Sequence, residues 1–514
     1  MSFTVERSKH YQKIALTVLI SGSAFLINYF ISFFLAPYIT DQVGTEAYGF
    51  VSMAKDFAVY ATYITAALNS YATRFISVNY YKPDLDKANV YFSSTFWGNM
   101  ILGPGIFALA MVGVVTLEHL LQVPAAIVLD VKLLFMFVFL KFLVVTMFSV
   151  YSCGPYISNH LDLTGIFKGL SYVVEAIVLV VLFLLFPPRV YFVGIAILAA
   201  ALVIVLSNMW ICKRYTGDLK IQRNHFQFSA VKDLMINGIW TSVSQLGSFL
   251  NSGLDLTVCN LLLSPFAMGQ LSLTHSIGII FCSLFAMVTD AFKPMILKIY
   301  AQKDMPKLVQ EYKMAMKVNG LLASLIFAGF LALGQVYYQL WVPHQDTLLL
   351  YQLTLIVIGT SVLTCIESPL FTIYTLTLTR KVSCMFTLIT GFLNVASMYV
   401  LIKYFGMGIF AVVTTTLVLH IIIHMGPHPL YMAHVLHLPW HTFYPEILRD
   451  LMSCGVLSAV FFGLSRLYMP SSWLTLIACA VVYSVIGTAL HALIVFSKKD
   501  WEAVKKTVLR RIKA

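Results

Sequence analysis

Residues 49–77 read GFVSMAKDFAVYATYITAALNSYATRFIS, and this stretch decides the fold class. It is long and apolar enough to cross a bilayer, because a spanning helix needs about 20 mainly apolar residues. It nevertheless carries Lys55 and Asp56 in its first third and Arg74 near its end. A charged side chain at the centre of a bilayer costs about 2.5–3.5 kcal/mol on insertion scales. We therefore expect this helix to face a polar cavity or a partner as well as lipid.

The composition of the whole chain agrees with a membrane protein. Hydrophobic residues make up 59% of the 514 residues and charged residues only 11%, and the mean hydropathy is +0.84. A soluble domain is about one quarter charged. The net charge of +12 does not indicate nucleic-acid binding, because most basic residues fall in short loops between apolar runs. The eight Cys show no CxxC spacing, so neither disulfides nor a zinc site is predicted from them.

Apolar segments of spanning length predict an all-α polytopic membrane protein with about fourteen transmembrane helices. The predicted spans cover residues 14–38, 48–78, 88–116, 131–152, 163–186, 190–212, 234–262, 268–292, 318–341, 348–376, 383–402, 406–426, 448–468 and 473–496. When loops are assigned alternately to the two sides, 28 Lys and Arg fall on one side and four on the other. Cytoplasmic loops carry the excess of Lys and Arg, so both termini are predicted to be cytoplasmic.

An internal repeat divides the chain into similar parts. The turn GTEAYG at 44–49 corresponds to SPFAMG at 264–269, and the same spacing relates the basic, Tyr- and Asp-containing turns that end the two long second helices. Spans 1–6 and 7–12 are therefore predicted to form two pseudo-symmetric lobes, with a site between them near the middle of the membrane. The predicted domains are 1–220 (N-lobe), 221–440 (C-lobe) and 441–514 (spans 13 and 14 with a basic tail).

The charged residues of spans 2 and 4 are candidate cavity residues. On a helix, Lys55 shares one stripe with Thr62 and Asn69, and Asp56 shares the adjacent stripe with Tyr63, Ser70 and Arg74. A buried Lys55–Asp56 pair is the alternative, although consecutive side chains point about 100° apart and pair poorly. Arg74 could instead extend to the cytoplasmic interface. Lys141 has no carboxylate in its own helix and is expected to line a cavity or pair across helices. Glu175 is expected to be a structural partner of a neighbouring basic group, with a role in cation binding as the alternative.

The second half contributes acidic and His-rich segments. Asp255 and Glu367 lie within predicted spans, and Glu367 is close to Pro369, which bends a helix and suits a moving gate. Six His fall within residues 420–441, including an i,i+4 pair. Because no acidic or Cys residue is adjacent, we expect an interfacial or phosphate-facing surface there and no metal site.

The sequence also limits the mechanism. It contains no GxxxxGK[ST] loop, so the chain is not expected to hydrolyse a nucleotide. It has no large extracytoplasmic loop that could form a catalytic domain. What remains is a carrier built from two similar lobes, with no catalytic residue and no cofactor.

The chain resembles the polysaccharide transporter, or Wzx-like, flippases of the multidrug/oligosaccharidyl-lipid/polysaccharide exporter superfamily. The resemblance rests on fourteen spans, the 6+6 repeat plus two, and a first span that contains Asn28. That span runs into a Pro-x6-Gly-x3-Tyr-Gly turn formed by Pro37, Gly44, Tyr48 and Gly49. The resemblance implies a flippase that moves an undecaprenyl-pyrophosphate-linked oligosaccharide across the bacterial cytoplasmic membrane by alternating access.

The resemblance carries no universal site signature, so residues are assigned from their chemistry and position. The predicted substrate cavity contains Lys55, Arg74, Lys141, Arg380, Asn28 and Asn69. Asp56, Asp255 and Glu367 could bind a coupling Na⁺ or proton, as in the related multidrug and toxin extrusion antiporters, which are the main alternative. A lipid II flippase and a non-transporting scaffold for an envelope synthase are further alternatives. The expected partners are the lipid-linked oligosaccharide, the membrane, a polysaccharide polymerase and glycosyltransferases, and no nucleic acid.

Overall fold

A computed structural model describes residue 23, residues 26 and 27, and residues 29–82, 84–377 and 379–496. Within these ranges the chain is helical and contains no β-strand. The helices are α1 (29–42), α2 (Thr45–Asn69), α3 (Ala72–Tyr81), α4 (Leu85–Val115), α5 (Leu117–Leu120), α6 (Val128–Met147), α7 (Cys153–Ile157), α8 (Leu161–Leu185), α9 (Tyr191–Tyr215), α10 (Phe228–Ser248), α11 (Asp255–Leu262), α12 (Pro265–Ala301), α13 (Met305–Trp341), α14 (Thr347–Glu367), α15 (Thr372–Leu376), α16 (Arg380–Lys403), α17 (Phe410–Met425), α18 (Pro427–Val435), α19 (Tyr444–Leu467) and α20 (Trp473–Val495).

Ten helices in the described ranges are long and apolar enough to cross a membrane, and the number rises to eleven if one bent pair counts as a span. That pair, Ala125–Met147 and Ser149–Ile157, bends by 62°. The prediction of a multi-pass membrane protein is confirmed. Fourteen spans and cytoplasmic termini stay predictions, since residues 1–22 and the basic segment 497–514 lie outside the described residues.

Two predicted spans outside this set are helical but interrupted. The predicted helix 48–78 is divided at residues 70–71 into α2 and α3. The predicted span 234–262 is divided into α10 and α11 by a π-helical turn at Phe249–Gly253. Short π segments inside helices occur frequently at functional sites. These two interrupted helices supply several charged and polar residues of the site described below.

The described residues form two compact units. The first contains the residues up to Ser272 together with Thr387–Val395, and the second contains Leu273–Phe386 and the residues from Ala396 onward. In the first unit α2 packs against α4, α6 and α10, and in the second α13 packs against α14, α19 and α20. The predicted lobe boundaries at residues 220 and 440 stay a prediction.

A glycine allows the close approach of α10 to α2. A Cβ atom at Gly238 would lie 1.9 Å from the carbonyl oxygen of Ala67, so only glycine fits there without displacing backbone. Ser242 on the same helix donates a hydrogen bond to the carbonyl oxygen of Tyr63 at 2.8 Å. The approach of these helices therefore depends on the lack of a side chain at Gly238 and on the short polar side chain of Ser242.

The repeat seen in the sequence is also present in the helix bounds. Helices α4 and α13 begin at Leu85 and Met305, and α6 and α14 begin at Val128 and Thr347, so the two pairs have almost the same spacing along the chain. The N-caps of α4 and α13 are made in the same way. The Asp84 carboxylate accepts a hydrogen bond from the Lys87 amide at 3.2 Å, and the Asp304 carboxylate accepts one from the Lys307 amide at 3.1 Å. Such a cap satisfies an otherwise unpaired helix donor. The two copies therefore use the same local chemistry at equivalent positions.

The last two helices, α19 and α20, are attached to α13 in the second unit through buried polar groups. The His491 imidazole shares a hydrogen bond of 2.9 Å with the Ser453 hydroxyl, and its Nε2 donates to the carbonyl oxygen of Lys317 at 3.1 Å. Asp450 lies directly over Gly320, where a Cβ atom would be 2.3 Å from the carboxyl carbon. These contacts fix the position of the final helix pair on α13.

Candidate functional site

Charged side chains from four helices come together inside the first unit. Lys141 on α6 lies within electrostatic range of Lys55 on α2 and of Glu175 on α8. Asp56, next to Lys55, lies within electrostatic range of Asp255 at the start of α11. We call Lys55, Asp56, Lys141, Glu175 and Asp255 the intramembrane charge cluster. The structure therefore brings together four of the predicted site residues and adds Glu175.

The two lysines of the cluster are not neutralised by direct ion pairs. Lys55 is exposed and Lys141 is half-buried, and no ion pair joins either ammonium group to a carboxylate among the described residues. Lys132, on the same helix as Lys141, differs because its ammonium pairs with Glu118. That contact lowers the pKa of the Glu118 carboxyl, which lies outside the spans. Lys55 and Lys141 thus lack, among the described residues, a direct ion pair of the kind that Lys132 forms.

Tyr60 lies beside the acidic end of the cluster. Its ring packs on Phe249 with centroids 4.4 Å apart, and its hydroxyl donates to the carbonyl oxygen of Gly253 in the π-helical turn. Tyr60 is in electrostatic range of both Asp56 and Asp255. Asn394 on α16 fixes the turn, because its side-chain amide donates a hydrogen bond to the carbonyl oxygen of Asn251 at 2.6 Å. The position of Asp255 therefore depends on this interruption between α10 and α11.

Asn69, which we predicted to line the cavity, belongs to a hydrogen-bond network between helices. Its amide exchanges two hydrogen bonds with the amide of Asn99 on α4, at 3.1 and 2.8 Å. The Ser149 hydroxyl accepts from Asn99 at 3.0 Å and donates to Asn69 at 3.0 Å. Asn99 is completely buried. The network joins α2, α4 and the turn after α6, which assigns Asn69 a structural role in this conformation; its predicted contact with substrate stays a prediction.

The same network occurs in the second unit, at the equivalent positions of the repeat. The amide of Asn319 donates to the Thr289 hydroxyl at 2.8 Å, and this hydroxyl shares a hydrogen bond of 2.8 Å with Ser368. Polar side chains that bond across helices are found at transmembrane helix interfaces. Polar groups at equivalent positions therefore join three helical segments in each copy.

The remaining predicted cavity residues are not part of the charge cluster. Arg74 is exposed on α3 and forms no ion pair with a described residue. Arg380 is the first residue of α16, and Asn28 lies outside the described residues. Thr62 is exposed on α2, on the same side as Lys55. The substrate-binding roles of these residues stay predictions.

Glu367 lies in the second unit, beside histidines from two other helices. Its Oε2 atom is 2.7 Å from Nδ1 of His424, and His428 completes a buried group whose candidate ligand atoms all lie within 4.8 Å of one another. We call Glu367, His424 and His428 the Glu–His–His cluster. Thr364 links it to His420, with its hydroxyl 3.2 Å from each of His420 Nδ1 and His424 Nε2.

The expectation of an interfacial or phosphate-facing surface is wrong for His424 and His428, since both are buried. The expectation that no acidic ligand is near is also wrong. Glu367 precedes His424 by 57 residues, so no local sequence pattern could join them. Only the packing of α14 against α17 brings them into contact.

Comparisons with known proteins agree with this architecture. The polysaccharide biosynthesis protein family matches residues 15–300. The uncharacterized membrane protein EpsK of Bacillus subtilis (strain 168) is 25% identical over 485 residues, which is 94% of this chain and 96% of EpsK.

Solved structures share the fold. An inward-facing multidrug resistance MATE family transporter of the MOP superfamily aligns with a TM-score of 0.66 and 14% identity, over 82% of this chain and 98% of that chain. The lipid II flippase MurJ in an inward closed conformation aligns with a TM-score of 0.65 and 14% identity, over 92% of this chain and 99% of that chain. The predicted all-helical membrane fold is confirmed, and it is shared with these two solved structures. The family match covers residues 15–300, which is more than half of this chain, so the chain belongs to the polysaccharide biosynthesis protein family.

Proposed function

We propose that the chain is a flippase for an undecaprenyl-pyrophosphate-linked oligosaccharide, the repeat unit of a cell-surface polysaccharide. It moves this lipid from the cytoplasmic to the outer leaflet by alternating access. Membership of a polysaccharide biosynthesis family supports the substrate class, and the fold shared with a lipid II flippase supports the type of transport. The observation that carries the proposal is that Lys55 and Lys141 lie within electrostatic range of each other and that neither forms an ion pair with a described residue.

A pyrophosphate matches this arrangement chemically. Two ammonium groups in electrostatic range repel each other, and each is costly at membrane depth. A pyrophosphate between them replaces that repulsion with charge-assisted hydrogen bonds, which are about twice as strong as neutral ones. The nearby Glu175 and Asp56 limit the net positive charge of the cluster when no lipid is bound. The two lysines thus bind the pyrophosphate of the substrate. This group is the same in carrier lipids that bear different glycans.

We propose the following order of transport steps. Lys82, which follows α3, and Lys87, in the first turn of α4, are both exposed, and Lys87 also pairs with Asp84. This basic segment attracts anionic head groups, since basic segments near the membrane gain about 1 kcal/mol per Lys or Arg. The pyrophosphate then moves to Lys55 and Lys141 while the polyprenyl tail stays in lipid. Glycosyltransferases would supply this substrate, and a polysaccharide polymerase would use it after translocation. The chain itself breaks no covalent bond in this scheme.

A cation-coupled multidrug and toxin extrusion antiporter is the second candidate. It is favoured by acidic groups inside the helical units, because Asp255 and Glu367 are buried and Asp56 is half-buried. The fold shared with a multidrug transporter also agrees with it. Under this alternative the acids bind Na⁺ or a proton, and the lysines only balance them. Under the flippase proposal, coupling by these acids is compatible but not required.

The test uses null cells that are complemented with variants of the chain. We expect Lys55→Ala and Lys141→Ala to reduce surface polysaccharide, measured by lectin or antibody binding, at normal protein abundance. Lys132→Ala is the matched control, because it removes a lysine from the same helix as Lys141 but outside the cluster. Lys55→Arg should retain partial export because it keeps the charge. Normal export by both alanine variants would refute the proposal. Loss of drug resistance with unchanged surface polysaccharide would favour the antiporter.

A further inference from the structure

The Glu–His–His cluster lies where two helices are broken. Glu367 is the last residue of α14 and precedes a 3-10 turn that contains Pro369. His424 and His428 lie on either side of Gly426, which separates α17 from α18. Broken helices at membrane depth expose backbone groups and are tolerated where they are buried in protein or line a cavity. In transporters such discontinuous helices often form the sites of coupling ions.

Two polar atoms of the cluster lack hydrogen-bond partners among the described residues: Glu367 Oε1 and His428 Nδ1. Buried polar atoms without partners cost about 1–3 kcal/mol each. The nearby Cys365 is not a competing ligand, because its thiol donates to the carbonyl oxygen of Asn319 at 3.4 Å. The two unpartnered atoms therefore point to a ligand that accepts electron pairs.

The first copy of the repeat shows that the fold does not need these groups. Helices α9 and α17 begin at Tyr191 and Phe410, and the 3-10 turns that begin at Ser149 and Ser368 have the same spacing along the chain. With this spacing, the positions of the cluster correspond to Phe148, Val205 and Met209. Phe148 and Met209 pack against the hydrophobic core of the first unit, and Val205 is buried. Three apolar residues thus occupy these positions in one copy, so the repeat itself does not require polar groups there.

We propose that the Glu–His–His cluster binds a divalent transition metal ion, with Zn²⁺ as the best match. Two imidazoles and one carboxylate are a common Zn²⁺ ligand set and leave a fourth position for water. Mg²⁺ and Ca²⁺ prefer oxygen ligands and fit less well. The metal takes the place of the proton shared by His424 Nδ1 and Glu367 Oε2.

The hydrogen-bond partners of His424 suit its role as a metal ligand. Its Nε2–H can donate to Thr364, whose hydroxyl also reaches His420. Metal-bound histidines almost always donate their second ring N–H to a partner of this kind, which fixes the tautomer and the ring orientation. A bound metal would tie the break at the end of α14 to the break between α17 and α18. We therefore expect metal binding to stabilise the second unit.

The experiment uses the purified full chain in detergent after removal of metals by a chelator. We expect wild-type protein to bind Zn²⁺ in a ratio of about one per chain, measured by elemental analysis after gel filtration. Co²⁺ should give the visible absorption bands of a four-coordinate nitrogen and oxygen site. The apparent melting temperature should rise on addition of Zn²⁺ but not of Mg²⁺.

Variants identify the ligands. His428→Met places the residue of the first copy in the cluster and should fold, but its affinity for Zn²⁺ should fall by at least about tenfold. Glu367→Gln should have a similar effect. His434→Ala is the control, because His434 is exposed on α18. Absence of saturable Zn²⁺ or Co²⁺ binding by folded wild-type protein would overturn the proposal. Equal binding by His428→Met and wild type would also overturn it. The result does not depend on transport, so it stands apart from the flippase proposal.

Discussion

Replacing Asn99 by Ala tests whether the Asn69–Asn99–Ser149 network holds the first unit together. Asn99 takes part in three hydrogen bonds to the other two side chains, at 2.8, 3.0 and 3.1 Å. Interhelical hydrogen bonds in membrane proteins contribute on average about 0.6 kcal/mol each and at most about 1.7. Asn99→Ala should therefore lower the free energy of unfolding by about 2 kcal/mol, before any cavity effect. Ser149→Ala breaks two bonds of the network and should cost about 1 kcal/mol.

The free energy of unfolding is measured by SDS titration of purified protein in mixed micelles, followed by circular dichroism or tryptophan fluorescence. Asn237→Ala is the matched control. Asn237 is exposed and only donates to a carbonyl oxygen four residues earlier in its own helix. A change within about 0.5 kcal/mol is normal for such a surface substitution. If Asn99→Ala is as stable as this control, the network is not a structural element. If Asn69→Ala keeps full stability but abolishes export, Asn69 contacts substrate, as the sequence had suggested.

Three further predictions address packing, coupling and access. Gly238→Ala should lower the yield of folded protein, since the added Cβ atom has no room against α2. Gly113→Ala should not lower it, because no atom lies within 4 Å of the new Cβ. Fluorescence-detected gel filtration measures the yield of both variants. Neutralising Asp255 or Glu367 should weaken the dependence of export on an imposed Na⁺ or proton gradient if either acid carries the coupling cation, and an unchanged dependence would refute a coupling role for both. Thr62→Cys, in a background without native cysteines, should react with water-soluble thiol reagents, and protection in every trapped state would place it in ordinary helix packing.

The sequence predicted the class of the fold well because its signals are local. Hydropathy, span length and the distribution of Lys and Arg each depend on short segments. The repeat was also recognisable, because residues such as Asp84 and Asp304 cap equivalent helices. Eleven of the predicted spans match helices of spanning length when the bent pair is counted. The interruption between α2 and α3 was not predicted, since neither Pro nor Gly marks residues 70–71.

The site was predicted only in part, because helix periodicity shows which residues share a face but not which helix covers it. Lys55 and Thr62 are exposed as expected, whereas Asn69 on the same stripe is engaged by Asn99 from α4. Lys141 acquires its carboxylate neighbour, Glu175, from a different helix. The Glu–His–His cluster likewise combines residues from separate segments. The i,i+4 spacing of His424 and His428 is visible in the sequence, but the contacts with Glu175 and Glu367 arise from tertiary packing and have no signature at a fixed spacing.

The most direct test of the flippase proposal follows a labelled lipid in reconstituted vesicles. A polyprenyl-pyrophosphate disaccharide with a fluorescent sugar is incorporated, and a membrane-impermeant quencher reports its transfer between leaflets. A charge-assisted hydrogen bond contributes about 1.5–3 kcal/mol, so loss of the Lys55 or the Lys141 ammonium should slow transfer by roughly 10- to 150-fold. Lys132→Ala should transfer the lipid at the wild-type rate. We predict fast transfer by wild type and strongly slowed transfer by Lys55→Ala and Lys141→Ala. Equal rates for wild type and both variants, or no transfer beyond protein-free vesicles, would contradict the account.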